Sequence, residues 1–363
     1  MKFALDGAGI SPRMTGVGRY FHRLLEELVP LDPTIEYTLF LKKPFAIGFD
    51  FPNLRTTVLE KEGSYFFWQN TILRKAIQRG AYDFFWSPNY TIPFFLSTRS
   101  LVTIHDMSWK SLPGDYSPAE RLYKNVACRH SLKKAEIIFT DSDFSKGEIR
   151  RYAAVAEEKI RRIHLGVDGH FHPAMPDEVA GFKSRYGLAG KRLVGFLGSF
   201  FKRRHIGEVI AAFEILRERN PETILLLVGE NHDTRTLAQK TKGPNIRWLR
   251  RLPESEINAF YSSLSLFLYL SEYEGFGLPP LEALNCGTIS LLLRRSSLAE
   301  LYADIALFVE QPDPRLIADA IADFLQREDR FKVPIFNHWK DRKAYFSWKR
   351  AAAEYHREIG RLQ

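Results

Sequence analysis

The chain has 363 residues, which is enough for two domains that each bury a core of their own. Its composition, 45% hydrophobic and 26% charged, is typical of a soluble globular protein, and no run approaches the roughly eighteen apolar residues of a membrane span. The two cysteines, Cys128 and Cys286, exclude a disulfide framework, and the opening residues MKFALDGAGI predict a strand and a turn rather than a secretion signal.

The net charge of +9 and the pI near 9.4 predict an acidic partner, which could be nucleic acid, anionic lipid or the phosphates of a nucleotide. The basic residues are dispersed, and the signatures of nucleic-acid-binding modules do not occur, so nucleic acid is the least favoured of the three. We therefore expect a cytoplasmic enzyme that does not bind nucleic acid. The sequence indicates no particular oligomeric state.

The first element is a short apolar strand from Lys2 to Leu5, followed by a loop and a helix. Gly16 and Gly18 precede this helix, whose apolar residues share one face. A strand, a glycine-containing loop and a helix N-terminus together suit an anion. The spacing is not the full dinucleotide-binding fingerprint, so the motif is weak by itself.

Further apolar segments follow the first helix and predict alternating strands and helices. Alternation predicts a strand over 35–41, and one-sided apolar spacing predicts a helix over 65–78. Three more predicted strands cover 82–86, 101–104 and 137–140. Strands that alternate with helices indicate a parallel, doubly wound sheet.

Polar residues stand directly after two of these strands. His105 and Asp106 follow one, where a lone histidine is more often structural than functional. The triplet Asp141-Ser142-Asp143 follows another, and an Asp-x-Asp pattern can bind a divalent cation. We interpret the triplet as a helix start instead, with Asp143 or Ser142 capping a helix over 144–152, in which Ser145 and Glu148 have capping-box spacing. No metal ligands are predicted.

The segment from Ser117 to Lys134 predicts a basic helix. Its cations are Arg121, Lys124, Arg129, Lys133 and Lys134. A solvated surface helix is one interpretation. The other is contact with an anionic membrane surface, where each basic residue contributes about 1 kcal/mol.

The second half of the chain repeats the strand and helix pattern. A strand is predicted over 192–197, followed by Ser199, a basic cluster at 202–205 and a helix over 206–216. Arg203 and Arg204 at a strand-to-helix turn suit a diphosphate, which a helix N-terminus also favours. A solvated charge run is the alternative. Further strands are predicted over 223–228, 245–249, 288–293 and 306–309.

The apolar run from Leu264 to Leu270 predicts a buried strand with a glycine-rich loop after it. Prolines at 279 and 280 suit a helix start, and we expect Glu282 in the first turn of this helix. Glu274 would then lie near Glu282 at the carboxyl end of a strand, where open α/β sheets bind ligands. Carboxylates accept hydrogen bonds from sugar hydroxyls, so a polyhydroxylated anion fits the pair. A βα turn with a capped helix is the alternative.

Glu274 and Glu282, with seven residues between them, resemble the Glu-(seven)-Glu signature of the family 4 retaining glycosyltransferases. The residues Gly275-Phe276-Gly277-Leu278-Pro279 between them agree with this resemblance. Cys286-Gly287-Thr288 and the stretch 296–300 are similar to the family's downstream segment, and the similarity runs over most of the chain. The basic cluster departs from the family pattern, since Arg204 replaces the usual lysine and His205 the usual asparagine.

The resemblance implies the GT-B fold, an α/β fold of two doubly wound parallel-sheet (Rossmann-like) domains that face a cleft. It places an acceptor-binding domain at 1–168 and a donor-binding domain at 169–335. A C-terminal segment at 336–363 would return as a helix to the first domain. The expected reaction moves a hexose, with mannose as the guess, from a nucleoside diphosphate to a hydroxyl with retention of configuration and without a metal.

The resemblance also implies roles for individual residues. Glu282 would bond the ribose hydroxyls, Glu274 would orient the donor sugar, and Arg203 and Arg204 would stabilise the leaving diphosphate. Further donor contacts would come from Ser199, Gly275, Phe276, Gly277 and Leu278. Gly16, Gly18 and His105 would border the reaction centre.

The expected partners are a GDP-, UDP-, ADP- or dTDP-linked sugar and a glycan or lipid-linked acceptor, with no separate cofactor. Polysaccharide or lipopolysaccharide assembly is the expected setting, either in the cytoplasm or at the inner face of the cytoplasmic membrane. Two rival functions are a sugar-nucleotide epimerase or phosphorylase on the same fold and a non-catalytic nucleotide-sugar-binding protein.

Overall fold

A computed structural model describes residues 1–12, 14, 16–230 and 243–362 of the chain. The chain divides into two compact units, one formed by Met1–Gly166 with Tyr345–Gln363 and the other by Val167–Ala344. Residues 336–344, which the sequence analysis assigned to the returning C-terminal segment, group with the second unit. Each unit contains one parallel sheet, and the predicted α/β class with two doubly wound sheets is confirmed.

The first unit has a sheet of seven parallel strands. They are β1 (Lys2–Asp6), β2 (Glu36–Leu41), β3 (Leu54–Val58), β4 (Phe84–Ser87), β5 (Arg99–Thr103), β6 (Ile137–Thr140) and β7 (Ile160–Arg162). Their order is β3-β2-β1-β4-β5-β6-β7, so the direction of winding reverses between β1 and β4. The carboxyl ends of β1 and β4 therefore form the topological switch point at which such sheets bind ligands. β3 and β7 were not predicted from the sequence.

Helices join the strands of the first unit. They are α1 (Gly16–Leu28), α2 (Tyr65–Phe67), α3 (Arg74–Arg79), α4 (Ser108–Ser111), α5 (Pro118–Lys134) and α6 (Asp143–Tyr152). The helix predicted over 65–78 is interrupted by a π-helical turn at Trp68–Leu73. Two side chains account for this interruption. Asn70 Nδ2 donates to the carbonyl of Phe66 and Thr71 Oγ1 donates to the carbonyl of Phe67, so both compete with the regular backbone hydrogen bonds of the helix.

The second unit has six parallel strands. They are β8 (Arg192–Leu197), β9 (Thr223–Val228), β10 (Ile246–Leu249), β11 (Leu266–Tyr269), β12 (Ser290–Leu293) and β13 (Leu307–Val309). Every residue of β9, β11 and β12 is buried, as expected for a parallel sheet covered on both faces. The order β10-β9-β8-β11-β12-β13 reverses between β8 and β11, which places the switch point there.

The helices of the second unit precede the C-terminal helix in the chain. They are α7 (Pro176–Arg185), α8 (Ile206–Arg219), α9 (Ile257–Ser263), α10 (Leu278–Asn285), α11 (Ser296–Leu301), α12 (Pro314–Gln326) and α13 (Glu328–Arg342). The last helix is α14 (Trp348–Gly360). Among the described residues, no helix combines the length and the apolar character needed to cross a lipid bilayer.

Helix α14 belongs to the first unit, as the resemblance implied. The Tyr355 hydroxyl lies 2.9 Å from the Tyr20 hydroxyl of α1, and the Tyr355 ring lies 5.3 Å from the ring of Trp86 on β4. Tyr20, Trp86 and Tyr355 are almost fully buried. The end of the chain therefore completes the core of the domain that its beginning forms.

Candidate functional site

In the second unit, the loops that follow β8 and β11 meet at the carboxyl edge of the sheet. The two strands are neighbours, with Leu266 opposite Val194, although about seventy residues separate them in the chain. The amide of Glu272 donates to the carbonyl of Arg203 at 2.9 Å, which joins the two loops. This arrangement brings Arg204 and Glu274 to the switch point.

Arg204 is the centre of a hydrogen-bonded cluster and is only 13% exposed. Its Nη1 donates to the carbonyl of Ser199 at 3.0 Å, and its Nη2 lies 3.1 Å from the Tyr269 hydroxyl and 3.4 Å from Glu274 Oε1. Burial opposes the charge, but the neighbouring Tyr269 and Glu274 outweigh it and raise the pKa of Arg204. The buried Nε–H of Arg204 has no acceptor within the described part of the chain. The cluster therefore contains a fixed cation with one donor that the described residues leave unsatisfied.

Glu274 is held at one of its two carboxylate oxygens. Oε1 accepts hydrogen bonds from Ser271 at 2.8 Å, from Tyr269 at 3.0 Å and from Arg204. For Oε2 the described residues supply no donor. The backbone of Glu274 is fixed as well, because its amide donates to the Ser296 hydroxyl and its carbonyl accepts from Ser297. The carboxylate is thus oriented by its surroundings, and Oε2 can accept a further bond.

The other residues of the basic cluster have different environments. The guanidinium carbon of Arg203 lies 4.8 Å from the centre of the Phe201 ring, and Lys202 is exposed. His205 adopts a left-handed conformation with φ of 52°, and its Nε2 lies 3.1 Å from Glu272. His205, which departs from the family's asparagine, therefore fixes the turn that ends before α8.

Glu282 does not lie in the first helical turn, so that prediction is wrong. Helix α10 starts at Leu278, one residue before the prolines, because Gly277 provides the left-handed turn (φ of 85°) that ends the loop. Glu282 is consequently the fifth helical residue, is 5% exposed and accepts a hydrogen bond from Tyr261 at 2.8 Å. The sequence did not identify Tyr261 as its partner.

The loop between the two glutamates is closely packed. Gly275, Phe276 and Gly277 are buried, whereas Leu278 is partly exposed. The Gly277 carbonyl accepts from the Tyr302 hydroxyl, and a Cβ at this glycine would lie 2.7 Å from Leu298. The loop geometry therefore depends on the absence of a side chain at this position.

In the first unit, His105 forms a buried pair with Asp141. His105 Nδ1 lies 2.6 Å from Asp141 Oδ2, and its Nε2 lies 3.0 Å from the carbonyl of Pro88, which can only accept. Burial works against the imidazolium, but the charge of Asp141 and the bonds to Asp141 and Pro88 prevail and raise the pKa of His105. Burial also raises the pKa of Asp141. Both ring nitrogens are engaged, so neither is free to act as a base.

The remainder of the Asp141-Ser142-Asp143 triplet starts α6. Ser142 is the cap, because its hydroxyl accepts from the Ser145 amide at 3.1 Å, which confirms one of the two predicted caps. Asp143 lies in the first turn and 3.3 Å from Arg162. The predicted pairing of Ser145 with Glu148 is wrong, because the Ser145 hydroxyl donates to the His105 carbonyl and Glu148 accepts from Ser111.

The glycine loop after β1 contributes backbone rather than side chains. Gly18 packs directly on the backbone of Gly9, where a Cβ would overlap the carbonyl, while the space around Gly16 is open. The sequence analysis missed Asp6, which ends β1 and is buried. Its carboxylate accepts from Tyr65 at 2.7 Å and from Gln69 at 3.0 Å, while burial raises its pKa. The position of Asp6 at the carboxyl end of a predicted strand is the feature of the sequence that could have identified it.

Two family models match most of the chain between them. Residues 14–170 match the model described as Glycosyltransferase Family 4, and residues 182–337 match the one described as Glycosyl transferases group 1. The two matches divide the chain in the same region as its two compact units.

Curated relatives and a solved structure are similar to the chain. O-antigen chain mannosyltransferase B of Escherichia coli is 29% identical, with 74% of this chain and 71% of the relative aligned. A GDP-mannose-dependent alpha-(1-6)-phosphatidylinositol monomannoside mannosyltransferase of Mycolicibacterium smegmatis is 25% identical over 61% of this chain and 59% of its own length. The crystal structure of Alr3699/HepE from Anabaena, in complex with UDP and glucose, covers all of both chains with a TM-score of 0.79. At 14% identity, this last likeness shows the fold alone.

Proposed function

The chain belongs to the group 1 glycosyltransferases of family 4, which have the GT-B fold, and we propose that it transfers a mannose-like hexose from a nucleoside diphosphate to a glycan hydroxyl. The similarity to two mannosyltransferases supports the choice of sugar, and one of their names supports GDP-mannose as the first donor to test. The proposed acceptor is a sugar or a lipid-linked glycan in polysaccharide or lipopolysaccharide assembly. The transfer retains the anomeric configuration.

The observation that carries the proposal is the buried cluster of Arg204 and Glu274 at the switch point of the second unit. A buried donor without an acceptor costs about 1–3 kcal/mol, so the Arg204 Nε–H favours a ligand that brings an oxygen. Glu274 Oε2 needs a donor instead, and a sugar hydroxyl supplies one. A nucleoside diphosphate sugar carries both groups at adjacent positions.

Arg204 acts mainly when the glycosidic bond to the diphosphate breaks. Negative charge then grows on the bridging oxygen, and a cation that is already fixed by three acceptors stabilises it without rearranging. Arg203 adds a second positive charge from the same turn. Glu274 meanwhile holds the sugar through Oε2, while Glu282 bonds the ribose hydroxyls. Ser199 and the residues from Gly275 to Leu278 line the donor site, and fixed cations replace a divalent metal in this scheme.

The first unit binds the acceptor in this scheme. The buried pair of His105 and Asp141 fixes the backbone at the end of β5, and the Gly16 and Gly18 loop provides backbone amides. Because both nitrogens of His105 are engaged, its proposed role is to hold the strand end that borders the acceptor rather than to remove a proton.

The test combines purified protein, a donor screen and product analysis. GDP-, UDP-, ADP- and dTDP-sugars are compared by calorimetry and by release of the nucleoside diphosphate with and without glycan acceptors. We expect a preference for GDP-mannose, slow hydrolysis without acceptor, and a product whose anomeric proton shows retention by NMR. Binding without turnover under every condition would instead identify a non-catalytic nucleotide-sugar-binding protein. Conversion of the free donor to its epimer would identify an epimerase.

We also propose that the first unit associates peripherally with an anionic membrane surface. The basic helix α5 carries exposed Leu122 and Val126, and the Phe66 ring lies 5.4 Å from Tyr123 of this helix. Phe95, which is 85% exposed, follows Phe94, whose ring lies 4.6 Å from His130 of α5. Aromatic and basic side chains on one surface favour the interface of an anionic bilayer.

A further inference from the structure

A cavity of about 370 Å³ lies in the first unit between α4, α5 and the segment that follows α6. Its floor is apolar and includes buried Met107, Trp109, Cys128 and Leu132, which are part of the hydrophobic core. Tyr152 at the end of α6 and residues 153–155 after it also line the cavity. The volume is in the range of small-ligand sites, and the lining shares no residue with the proposed donor and acceptor sites.

The rim of this cavity is positively charged. Lys110, Arg129 and Lys133 line it, and the lining contains no aspartate or glutamate. None of these three side chains forms an ion pair with another described residue. Lys124 adds a nearby charge, since its ammonium lies 5.3 Å from the centre of the Trp109 ring. An apolar floor below uncompensated cations is complementary to a molecule that has an apolar chain and an anionic head.

We propose that this cavity binds an amphiphilic phosphate monoester. The phosphate lies at Lys110, Arg129 and Lys133, and the first part of the chain lies against Trp109, Cys128 and Leu132. Inorganic phosphate lacks the chain, and a neutral amphiphile lacks the charge, so each satisfies only half of the site. The binding needs no transferase activity, and it remains measurable if the proposed reaction fails.

The length of the ligand's alkyl chain distinguishes binding in the cavity from adsorption to the protein surface. Each methylene moved from water into the cavity tightens binding by about fourfold. We expect affinity for butyl, hexyl and octyl phosphate to rise at this rate and then to level off, because the cavity has a fixed size. The measurement is calorimetry below the micelle concentration, with inorganic phosphate and octyl glucoside as controls. A series that never levels off, or equal affinity for octyl phosphate and octyl glucoside, overturns the proposal.

Matched variants locate the site. Lys133→Gln removes a rim cation and should weaken octyl phosphate binding by about fivefold, whereas Arg121→Gln removes an exposed cation on the same helix outside the lining and should not. Cys128→Leu fills the floor and should abolish the gain from longer chains. Because Cys128→Leu changes the core, Ala154→Leu narrows the same cavity from an exposed position and should have the same effect. Equal effects of the two charge variants overturn the proposal.

A photoreactive label makes the location explicit. The protein is incubated with an octyl phosphate that carries a diazirine at the end of its alkyl chain, and the mixture is irradiated. The labelled peptides are then identified by mass spectrometry. We expect label in 107–110, 125–133 or 152–155, which line the cavity. Label confined to other parts of the chain contradicts the assignment.

Discussion

Arg204→Ala is the substitution that tests the proposed chemistry most directly. The guanidinium is largely buried and donates to Ser199, Tyr269 and Glu274, so its removal takes away a preorganised cation rather than a mobile surface charge. A hydrogen bond to a charged group contributes about 1.5–3 kcal/mol. If this bond is made mainly as the diphosphate leaves, turnover falls by about 10- to 150-fold, while affinity for the donor changes much less.

The assay is the initial rate of nucleoside diphosphate release over a range of donor concentrations. Lys202→Ala is the matched control, because it removes an exposed cation from the same turn and should leave turnover unchanged. Arg204→Lys keeps the charge but loses the planar fork that reaches several acceptors, so we expect only partial recovery. Melting curves establish that each variant folds.

The transferase activity in the presence of a metal chelator completes this test. If fixed cations stabilise the leaving group, activity survives EDTA. Loss of activity in EDTA with recovery in manganese, together with normal turnover in Arg204→Ala, would show that a divalent metal does this work. The reasoning from the Arg204 cluster would then be wrong.

Three further predictions follow from the remaining contacts. Glu282→Ala should weaken calorimetric binding of the nucleoside diphosphate by about 10- to 150-fold, while Glu274→Ala should lower turnover with little change in this affinity; equal losses contradict the division of roles. The raised pKa of His105 means that the folded protein keeps a proton that the unfolded chain loses above about pH 6.5. The free energy of unfolding, measured by denaturant titration, should therefore fall by up to about 1.4 kcal/mol per pH unit above this point, and Asp141→Asn should remove the slope. Phe95→Ala should lower partition into anionic vesicles by several-fold, and binding of the unmodified protein to neutral vesicles that is as strong as its binding to anionic vesicles contradicts the electrostatic part of the account.

Buried strands were the most predictable part of the fold. The strands predicted over 137–140, 192–197 and 223–228 have the same bounds in the structure, because continuous apolar runs identify strands that are covered on both faces. Strand β3 was missed for the opposite reason. It is an edge strand whose residues are partly or fully exposed, so its sequence lacks the apolar signal.

The sequence predicted where the residues of the candidate site lie in the sheet better than it predicted their hydrogen-bond partners. The sequence placed Arg204 and Glu274 after strands, and the carboxyl ends of parallel strands share one edge. It did not show that β8 and β11 are neighbours, because strand order is set by packing and not by order along the chain. The contacts of Tyr269 and Tyr261 with the two glutamates therefore became visible only in the structure.

The Asp141-Ser142-Asp143 triplet links the first unit to the question of a metal. A cation that used Asp141 would compete with His105, whose Nδ1 is 2.6 Å from that carboxylate in a buried setting. Removing one partner of a buried ion pair costs about 3–5 kcal/mol, because the other charge remains in a poorly solvated place. Asp143, in contrast, is exposed beside Arg162 at the start of α6. The two carboxylates thus have separate contacts and do not converge as an Asp-x-Asp pair, which is the arrangement expected if Arg204 stabilises the leaving diphosphate in the proposed reaction.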